Sequence, residues 1–410
     1  MNYKITAPRR AIAEIDLPAS KSISNRALIL NALCGGTAEI RNLAVCDDTD
    51  AMRQALSSTG DLINVGAAGT AMRFLTAYFA TRQGRSLVID GSERMRHRPI
   101  GILVDVLRQC GADIEYLAQE GFPPMRITGA KLHADGVIQI PGNVSSQYIS
   151  ALLMISPLIE GCNCIRLIDE VISLPYIRMT LDLMSQFGVK AVLNGNEVII
   201  PPGFSYHSHD FIVENDWSAA SYWFEIQSLL PQSRISLKGL HAASLQGDCA
   251  VASFYESFGV IANRCGKYLD LRCTPTPADT IKLNLLNNPD LAQTIAVTAC
   301  LCNRHFHLTG LQTLKIKETD RIEAICSQLA KLGFAITVEP DFSLRWNGEV
   351  TTPSPHPSIA TFNDHRMAMA FAPAAILFPG LIIEDAEVVS KSYPLYWEHL
   401  KQAGFIIDEC

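Results

Sequence analysis

The chain has 410 residues, of which 48% are hydrophobic and 18% charged, and its formal net charge is −7. That length is too great for one ordinary hydrophobic core and favours two domains. The negative charge argues against a nucleic-acid partner or an anionic membrane. The first ten residues lack a signal pattern and no apolar run could span a bilayer, so we predict a cytoplasmic protein. Twelve cysteines occur without a zinc-binding spacing, which favours free thiols and no metal site.

A helix that ends in glycine and leads into an alternating strand recurs along the chain. The glycines stand about 71 to 77 residues apart, at Gly111, Gly188, Gly259, Gly333 and Gly404. Glycine at these places predicts a left-handed helix C-cap. A similar helix end near Gly60 comes only about 50 residues before Gly111. The first copy therefore lacks about one β-hairpin.

Each copy also has a second helix that is apolar nearly all round, which predicts burial inside a domain. The four clearest cases are 146–157, 219–229, 292–302 and 367–376. Six βαβαββ-like units make an α/β protein with two lobes of three units each. We predict an N-terminal lobe over 18–213, a C-terminal lobe over 1–17 plus 214–410, and hinges near 17–18 and 213–216. The first strand, 3–7, is expected to complete the C-terminal lobe.

The segment PASKSISNRA, 18–27, places hydroxyls and cations at the start of a helix. Free backbone N–H groups there add to Lys21, Ser22 and Arg26, which suits a phosphate or a carboxylate. The alternative is a serine-capped helix with incidental cations. Capping does not account for Lys21 between two serines.

The segment GAAGTAMR, 66–73, has small residues that permit close backbone approach at Gly69 and a threonine, Thr70, that could cap the next helix. It matches neither the Walker loop nor the dinucleotide fingerprint, so ATP and dinucleotides are not indicated. The segment RMRHRPI, 94–100, follows, and Pro99 suits a first helical turn. That placement leaves Arg98 at the helix entrance.

The segment NVSSQY begins a buried helix with two hydroxyls and an amide, at Ser145, Ser146 and Gln147. Capping needs one serine, so the three together predict hydrogen bonds to a ligand. Ser173 and Tyr176 stand at the corresponding place in the third repeat.

The segment KIKETDRI, 315–322, stands where a strand gives way to a helix. Lys317 and Arg321 can hold an anion there, while Glu318 is available for proton transfer. The alternative is a capped, solvated helix start. The later segment NDHRMAM places Arg366 at another helix start. Lys391 precedes the last amphipathic helix, where a solvated lysine is the alternative.

Nearly every polar cluster lies at the N-terminal end of a repeat helix. If the helices of a lobe are parallel, their positive ends share one face, and the two lobes would face each other across an anion-lined cleft. This interpretation predicts a small substrate with several negative charges.

These segments resemble the signature segments of the 5-enolpyruvylshikimate-3-phosphate (EPSP) synthase family, in the family's order and over nearly the whole chain. The resemblance implies a two-lobed inside-out α/β barrel, the enolpyruvyl transferase fold, with three βαβαββ-type repeats per lobe and a shortened first repeat. It also implies transfer of the enolpyruvyl group of phosphoenolpyruvate to the 5-hydroxyl of shikimate 3-phosphate, by addition and elimination, without an organic cofactor.

The resemblance further implies roles for individual residues. Glu318 would serve the C3 proton of phosphoenolpyruvate and Asp290 the 5-hydroxyl, with Lys21 assisting; which group moves which proton stays open. The phosphoenolpyruvate ligands would be Lys21, Gly69, Arg98, Gln147, Arg321, Arg366 and Lys391. The shikimate 3-phosphate ligands would be Lys21, Ser22, Arg26, Ser145, Ser146, Gln147, Ser173, Tyr176, Asp290 and Lys317. Closure on binding would assemble the site.

Two departures from the family pattern are Ala67, where asparagine is frequent, and Phe74, where proline is common. Gly69 is retained, which predicts sensitivity to glyphosate. One alternative is the sister enzyme that acts on UDP-N-acetylglucosamine, but RMRHRPI lacks the cysteine usual there. The other is an inactive binding protein, although Lys21, Asp290 and Glu318 are all present. No heptad or apolar stripe stands out, so we expect a monomer.

Overall fold

The computed structural model describes residues 1–274 and 277–410. The chain divides into an N-terminal unit, Ala19–Val213, and a C-terminal unit made of Met1–Pro18 and Glu214–Cys410. The chain begins with two strands of the C-terminal unit, β1 (Tyr3–Thr6) and β2 (Ile12–Asp16).

The N-terminal unit alternates helices with short strands. In chain order they are α1 (Lys21–Leu33), β3 (Ile40–Arg41), α2 (Asp47–Ser57), β4 (Leu62–Asn64), α3 (Gly69–Ala80), β5 (Ser86–Asp90), α4 (Glu93–Arg96), α5 (Gly101–Gln109), β6 (Asp113–Tyr116), β7 (Met125–Thr128), β8 (His133–Pro141), α6 (Ser146–Ile155), β9 (Glu160–Ile168), α7 (Leu174–Gln186), β10 (Val192–Asn194), β11 (Glu197–Ile199) and β12 (Phe211–Ile212). A 3-10 turn, Ser156–Leu158, extends α6.

The C-terminal unit repeats the same alternation. Its remaining elements are α8 (Trp217–Leu229), β13 (Arg234–Lys238), α9 (Val251–Glu256), β14 (Val260–Cys265), β15 (Tyr268–Cys273), β16 (Thr280–Asn284), α10 (Ala292–Leu301), β17 (His305–Thr309), α11 (Arg321–Lys331), β18 (Thr337–Val338), β19 (Leu344–Trp346), β20 (Ser358–Ile359), α12 (His365–Phe371), β21 (Leu381–Ile383), α13 (Tyr396–Gln402) and β22 (Ile406–Glu409). Its 3-10 turns are Gly247–Ala250, Pro289–Leu291, Gln312–Ile316, Ala372–Ile376 and Ala386–Lys391.

Two sheets of the N-terminal unit share one plan, in which a parallel pair is extended by an antiparallel hairpin. Their strand orders are β4-β5-β7-β6 and β8-β9-β11-β10. The third sheet contains only the parallel pair β3 and β12. The chain passes from α2 to β4 without a hairpin, so the first repeat is shortened as predicted.

The C-terminal unit has three sheets of the same plan, ordered β2-β13-β15-β14, β16-β17-β19-β18 and β20-β21-β1-β22. The last of these receives the first strand of the chain. Tyr3 of β1 lies opposite Ile383 on one side and Glu409 on the other, antiparallel to both neighbours. Strand β1 therefore takes the place that the second hairpin strand has in the other sheets.

The helices that the sequence predicted to be buried are buried. All ten residues of α10 and all seven of α12 are buried, and α6 and α8 are buried along most of their length. A helix that is apolar all round gains most when every face is covered. These helices lie inside their units, and their N-terminal ends carry the polar segments described below.

The five repeat glycines all adopt positive φ, between 80° and 103°, which confirms the predicted left-handed helix ends. Gly60 does not follow this pattern. Helix α2 ends at Ser57, Ser58 is extended, and Gly60 lies beyond with an ordinary φ. The prediction of a sixth glycine cap at this place is therefore wrong, because the chain leaves α2 through an extended serine.

Within residues 1–274 and 277–410, no helix combines the length and the apolarity that a membrane span needs. All twelve cysteines lie in this part of the chain and all are free. The same residues contain no group of three or more His, Cys, Asp or Glu side chains arranged to hold a metal ion. Burial raises the pKa of the Cys300 thiol well above its ordinary value, so this cysteine packs as a small apolar side chain.

Candidate active site

Lys21 is the first residue of α1, and Ser20 caps that helix by accepting a hydrogen bond from the Ile23 N–H at 3.5 Å. The Lys21 Nζ lies 3.3 Å from Oδ2 of Asp48 in the first turn of α2. Both side chains are largely buried. Sequence reasoning missed Asp48, whose carboxylate holds the ammonium group of Lys21 near the helix start.

Arg26 lies one turn further along α1 and is only 2% exposed. Its Nε donates to Oγ1 of Thr180 at 2.8 Å and its Nη2 to Oγ of Ser150 at 3.0 Å. Its Nη1 donates to the Ser22 carbonyl at 2.9 Å. Burial lowers the pKa of Arg26 to about 10, although Tyr176 opposes the shift. The arginine still carries its charge at neutral pH.

Gly69 is the first residue of α3, and its lack of a side chain has a packing role. A Cβ at this position would overlap the guanidinium of Arg98. The glycine therefore allows a buried arginine to rest on the backbone at a helix N-terminus, where both attract an anion.

Thr70 does not cap α3, in contrast to the prediction. The cap position is Ala68, which has no capping side chain. The Thr70 hydroxyl instead accepts a hydrogen bond from Nε2 of Gln147, at 3.1 Å. This bond links the first turns of α3 and α6.

The loop that carries Arg98 is fixed through the carbonyl of Pro99. That oxygen accepts from Nη2 of Arg73 at 2.8 Å and from the hydroxyl of Tyr148 at 2.5 Å. Helix α5 begins only at Gly101, so Pro99 precedes the helix and the predicted first-turn position is wrong. Sequence reasoning singled out neither Arg73 nor Tyr148.

The hydroxyl segments begin two further helices. Ser145 caps α6 by accepting from the Gln147 N–H at 3.4 Å, and Ser146 is the first residue of that helix. Ser173 stands before α7 with φ 54°, and Tyr176 lies in the first turn. Helices α1, α3, α6 and α7 pack on one another. Hydrogen bonds join the first turns of α3 and α6 and tie Arg26 of α1 to α6 and α7.

In the C-terminal unit, Arg321 is the first residue of α11 and is surrounded by three carboxylates. Its Nε donates to Asp364 at 2.6 Å, its Nη1 to Asp290 at 3.0 Å and its Nη2 to Glu318 at 2.9 Å. Asp320 caps the helix by accepting from two backbone N–H groups. Burial alone would lower the pKa of Arg321, but the carboxylates raise it above its usual range.

Asp290 occupies the turn Pro289–Leu291 and is shared by three cations. Besides Arg321, the Nη2 of Arg366 lies 2.9 Å away and the Nζ of Lys317 lies 3.6 Å away. Burial disfavours the ionised form, but the cations Arg366, Lys317 and Arg321 outweigh burial. The pKa of Asp290 therefore lies well below its ordinary value, and the carboxylate stays ionised.

Arg366 is the second residue of α12, which Asp364 caps by accepting from the Arg366 N–H at 2.9 Å. The two residues before the cap, Phe362 and Asn363, both have positive φ, at 52° and 56°. Such strain in non-glycine residues is concentrated at functional sites. The Asn363 carbonyl accepts from Lys391 Nζ at 2.8 Å, which brings that lysine to the same helix start.

Two carboxylates here have partners that the sequence did not predict. Asp364 belongs to the segment NDHRMAM, and its pairing with Arg321 joins residues 43 positions apart. Asp248 is buried beside the Ser218 hydroxyl and 3.3 Å from Nδ2 of Asn288. Burial and the nearby Asp290 raise the pKa of Asp248.

The comparisons with known proteins all point to one family, and they match nearly the whole chain. The sequence model of EPSP synthase (3-phosphoshikimate 1-carboxyvinyltransferase) matches residues 5–65 and 54–400. A 3-phosphoshikimate 1-carboxyvinyltransferase of Bacteroides fragilis (strain YCH46) is 49% identical over 99% of this chain and 98% of its own. One of Cellvibrio japonicus (strain Ueda107) is 39% identical over 95% and 96%. The chain belongs to the EPSP synthase family.

Solved structures support the fold of the family. An EPSP synthase from Acinetobacter baumannii superposes with a TM-score of 0.75 at 20% identity and covers all of both chains. The enolpyruvyl transferase NikO from Streptomyces tendae gives 0.74 at 14% identity, over 99% and 98%. The predicted enolpyruvyl transferase fold is thereby confirmed. At 20% and 14% identity, the two structures are evidence for the fold alone.

Proposed function

We propose that this chain transfers the enolpyruvyl group of phosphoenolpyruvate to the 5-hydroxyl of shikimate 3-phosphate and releases phosphate. The observation that carries the proposal is the guanidinium of Arg321, which two candidate acid–base groups share. Glu318 and Asp290 accept hydrogen bonds from two of its nitrogens at 2.9 and 3.0 Å. Glu318 and Arg321 both lie in KIKETDRI, a segment typical of the family. Membership of the EPSP synthase family supports the same reaction.

The reaction is balanced without a cofactor. The 5-oxygen of shikimate 3-phosphate bonds to C2 of phosphoenolpyruvate and loses its proton, while C3 gains one. The resulting tetrahedral intermediate then loses phosphate from C2 and a proton from C3, which restores the double bond. These steps need one proton transfer at the 5-oxygen and two at C3, which two carboxylates and a lysine can carry out.

Glu318 exchanges the proton at C3 in this proposal, with Lys21 assisting. Asp290 accepts a hydrogen bond from the 5-hydroxyl. The low pKa of Asp290 supports an orienting carboxylate that stays ionised. A substrate that draws Arg366 or Lys317 away from Asp290 would raise its basicity.

Phosphoenolpyruvate is held by five cations together with one glycine and one glutamine. They are Lys21, Gly69, Arg98, Gln147, Arg321, Arg366 and Lys391. Guanidinium groups suit its carboxylate and phosphate, because they bind planar or tetrahedral anions through two donors at once. The packing of Arg98 on Gly69 supports this assignment for the N-terminal unit.

Shikimate 3-phosphate is held by hydroxyls and cations of α1, α6 and α7 together with two residues of the C-terminal unit. The set is Lys21, Ser22, Arg26, Ser145, Ser146, Gln147, Ser173, Tyr176, Asp290 and Lys317. The hydrogen bonds from Arg26 of α1 to Ser150 of α6 and Thr180 of α7 support the assignment for the N-terminal unit.

We further propose a cytoplasmic monomer that is sensitive to glyphosate. The glycine retained at position 69 supports the last point, and the Arg98 guanidinium occupies the space next to its backbone. Phe74 is fully buried, and its ring lies 5.2 Å from Cζ of Arg26. Half-inhibition that required millimolar glyphosate would contradict this part of the proposal.

The test is phosphate release by the purified protein with phosphoenolpyruvate and either shikimate 3-phosphate or UDP-N-acetylglucosamine. We expect phosphate only with shikimate 3-phosphate. Phosphate only with the sugar nucleotide would assign the chain to the sister reaction. If neither substrate gives phosphate release but calorimetry detects a heat of binding for shikimate 3-phosphate, the chain would be a binding protein.

A further inference from the structure

Three helices of the N-terminal unit meet one turn below their predicted substrate ligands. Those ligands are in the first turns of α1, α6 and α7, at Ser22, Ser146 and Tyr176. The residues four positions further along each helix are Arg26, Ser150 and Thr180. Residues four apart share one face of a helix, so the second set lies under the first.

The second set forms one hydrogen-bonded layer. Arg26 donates to both hydroxyls, at 2.8 Å to Thr180 and 3.0 Å to Ser150, and the two hydroxyl oxygens lie 2.9 Å apart. The Thr180 oxygen is also 2.9 Å from the carbonyl of Tyr176. Ser150 and Thr180 are fully buried. The layer thus ties Arg26 to the helix turns that carry candidate ligands.

The partners of Arg26 are all neutral. Among the described residues, no carboxylate contacts its guanidinium, and three of its five N–H donors bind uncharged oxygens. One N–H remains on each terminal nitrogen. A carboxylate in place of the hydroxyls would cancel the charge that a substrate anion must meet, whereas hydroxyls fix the guanidinium plane and leave its charge intact.

We propose that Thr180 and Ser150 are positioning residues, which hold the plane of the Arg26 guanidinium so that its two remaining N–H groups meet an anionic group of shikimate 3-phosphate. The inference rests on the proposed function, because it assigns the layer to that substrate. The Arg26 guanidinium also lies over the ring of Phe74, with Cζ 5.2 Å from the ring centre, so the ring limits its movement on that side.

The test compares Thr180→Val, which keeps the shape and removes the hydroxyl, with Thr180→Ser, which keeps the hydroxyl. For Thr180→Val we expect the KM and the calorimetric Kd for shikimate 3-phosphate to rise about tenfold, the scale of one hydrogen bond to a charged group. The KM for phosphoenolpyruvate should change less than about twofold, which is below 0.5 kcal/mol. Thr180→Ser should restore the wild-type values.

A double-mutant cycle separates positioning from general packing. In an Arg26→Lys background, Thr180→Val should add less than about a twofold loss, because the group it positions is gone. An undiminished loss in that background, or equal increases in both KM values, would overturn the proposal. Should Thr180→Val fail to fold in a thermal melt, Ser150→Ala carries the same cycle.

The wild type distinguishes this inference from the function on which it rests. Wild type that neither binds shikimate 3-phosphate nor releases phosphate with it would overturn both. If the wild type is active and Thr180→Val and Ser150→Ala leave the KM for shikimate 3-phosphate unchanged, the positioning role alone would be overturned.

Discussion

Arg321 donates from Nε to Oδ2 of Asp364 across 2.6 Å, and neither side chain is more than 2% exposed. The same carboxylate caps α12 and accepts from the N–H of Arg366. One buried aspartate thus fixes a guanidinium on α11 and the start of α12. Because a buried charge is stable only when paired, the two helix starts are coupled through this contact.

Replacing Asp364 by asparagine should separate these two tasks. The amide oxygen can still cap α12, whereas the charge opposite Arg321 is lost. Since Glu318 and Asp290 still contact Arg321, we expect a destabilisation of about 1–3 kcal/mol and a loss of about 10- to 100-fold in kcat/KM. Thermal unfolding and steady-state kinetics check both values. Asp364→Ala, which also removes the cap, should lose about 1 kcal/mol more. Equal stabilities for the two variants would contradict the capping role.

Glu318→Gln should leave substrate binding largely intact and reduce turnover by about 10²- to 10⁴-fold, the usual scale for an acid–base group. The glutamine oxygen can still accept from Nη2 of Arg321, so the guanidinium should keep its place. The matched control is Glu323→Gln, an exposed position in the first turn of α11 that we expect to match wild type. A Glu318→Gln enzyme within threefold of wild type would remove Glu318 from the proton path.

Local patterns were sufficient to predict the repeat, the buried helices and the ends of most helices. The period of the capping glycines and the all-round apolarity of α10 are properties of short stretches. Candidate residues at helix starts, such as Lys21 and Arg321, were found because dense polar clusters before apolar helices are conspicuous. The roles of those residues came from the resemblance to a family.

The partners that hold these candidates were not predictable, because they come from distant parts of the chain and have no pattern of their own. The Pro99 carbonyl that binds Arg73 is a backbone group, which leaves no trace in the sequence. In the sequence, Asp48 looks like any acidic residue in the first turn of a helix, and only the fold brings it close to Lys21. The glycine at 69 suggested room for a ligand, whereas the structure also shows an arginine resting on it.

Arg98→Ala should raise the KM for phosphoenolpyruvate by about 10- to 100-fold, the loss expected for a hydrogen-bonded charge. Gly69→Ala should also raise it, because the new Cβ displaces the Arg98 guanidinium. The two effects should not add, since both act through Arg98. Gly60→Ala is the matched control, because a Cβ there meets only Ser58 Oγ at an ordinary 3.6 Å. An unchanged KM in Arg98→Ala would place that arginine outside the pocket.

Glu225 offers a test of stability against pH in the core of the C-terminal unit. It lies in α8 with no exposed surface, and burial raises its pKa well above the ordinary value although the Thr298 hydroxyl favours the ionised form. The described residues place no cation beside it. The folded protein therefore binds a proton here that the unfolded chain releases as pH rises above about 4.5.

The sign of the effect follows from this difference in bound protons. Above the unfolded pKa the folded state holds more protons, so the stability contributed by Glu225 falls as pH rises towards its folded pKa. Glu225→Gln cannot titrate, and its free energy of unfolding relative to wild type should increase by up to about 1.4 kcal/mol per pH unit. Denaturant unfolding from pH 5 to 8 measures the slope. The exposed Glu256→Gln in α9 is the control for removing one carboxylate. A flat difference for Glu225→Gln would mean that the carboxyl is ionised in the core.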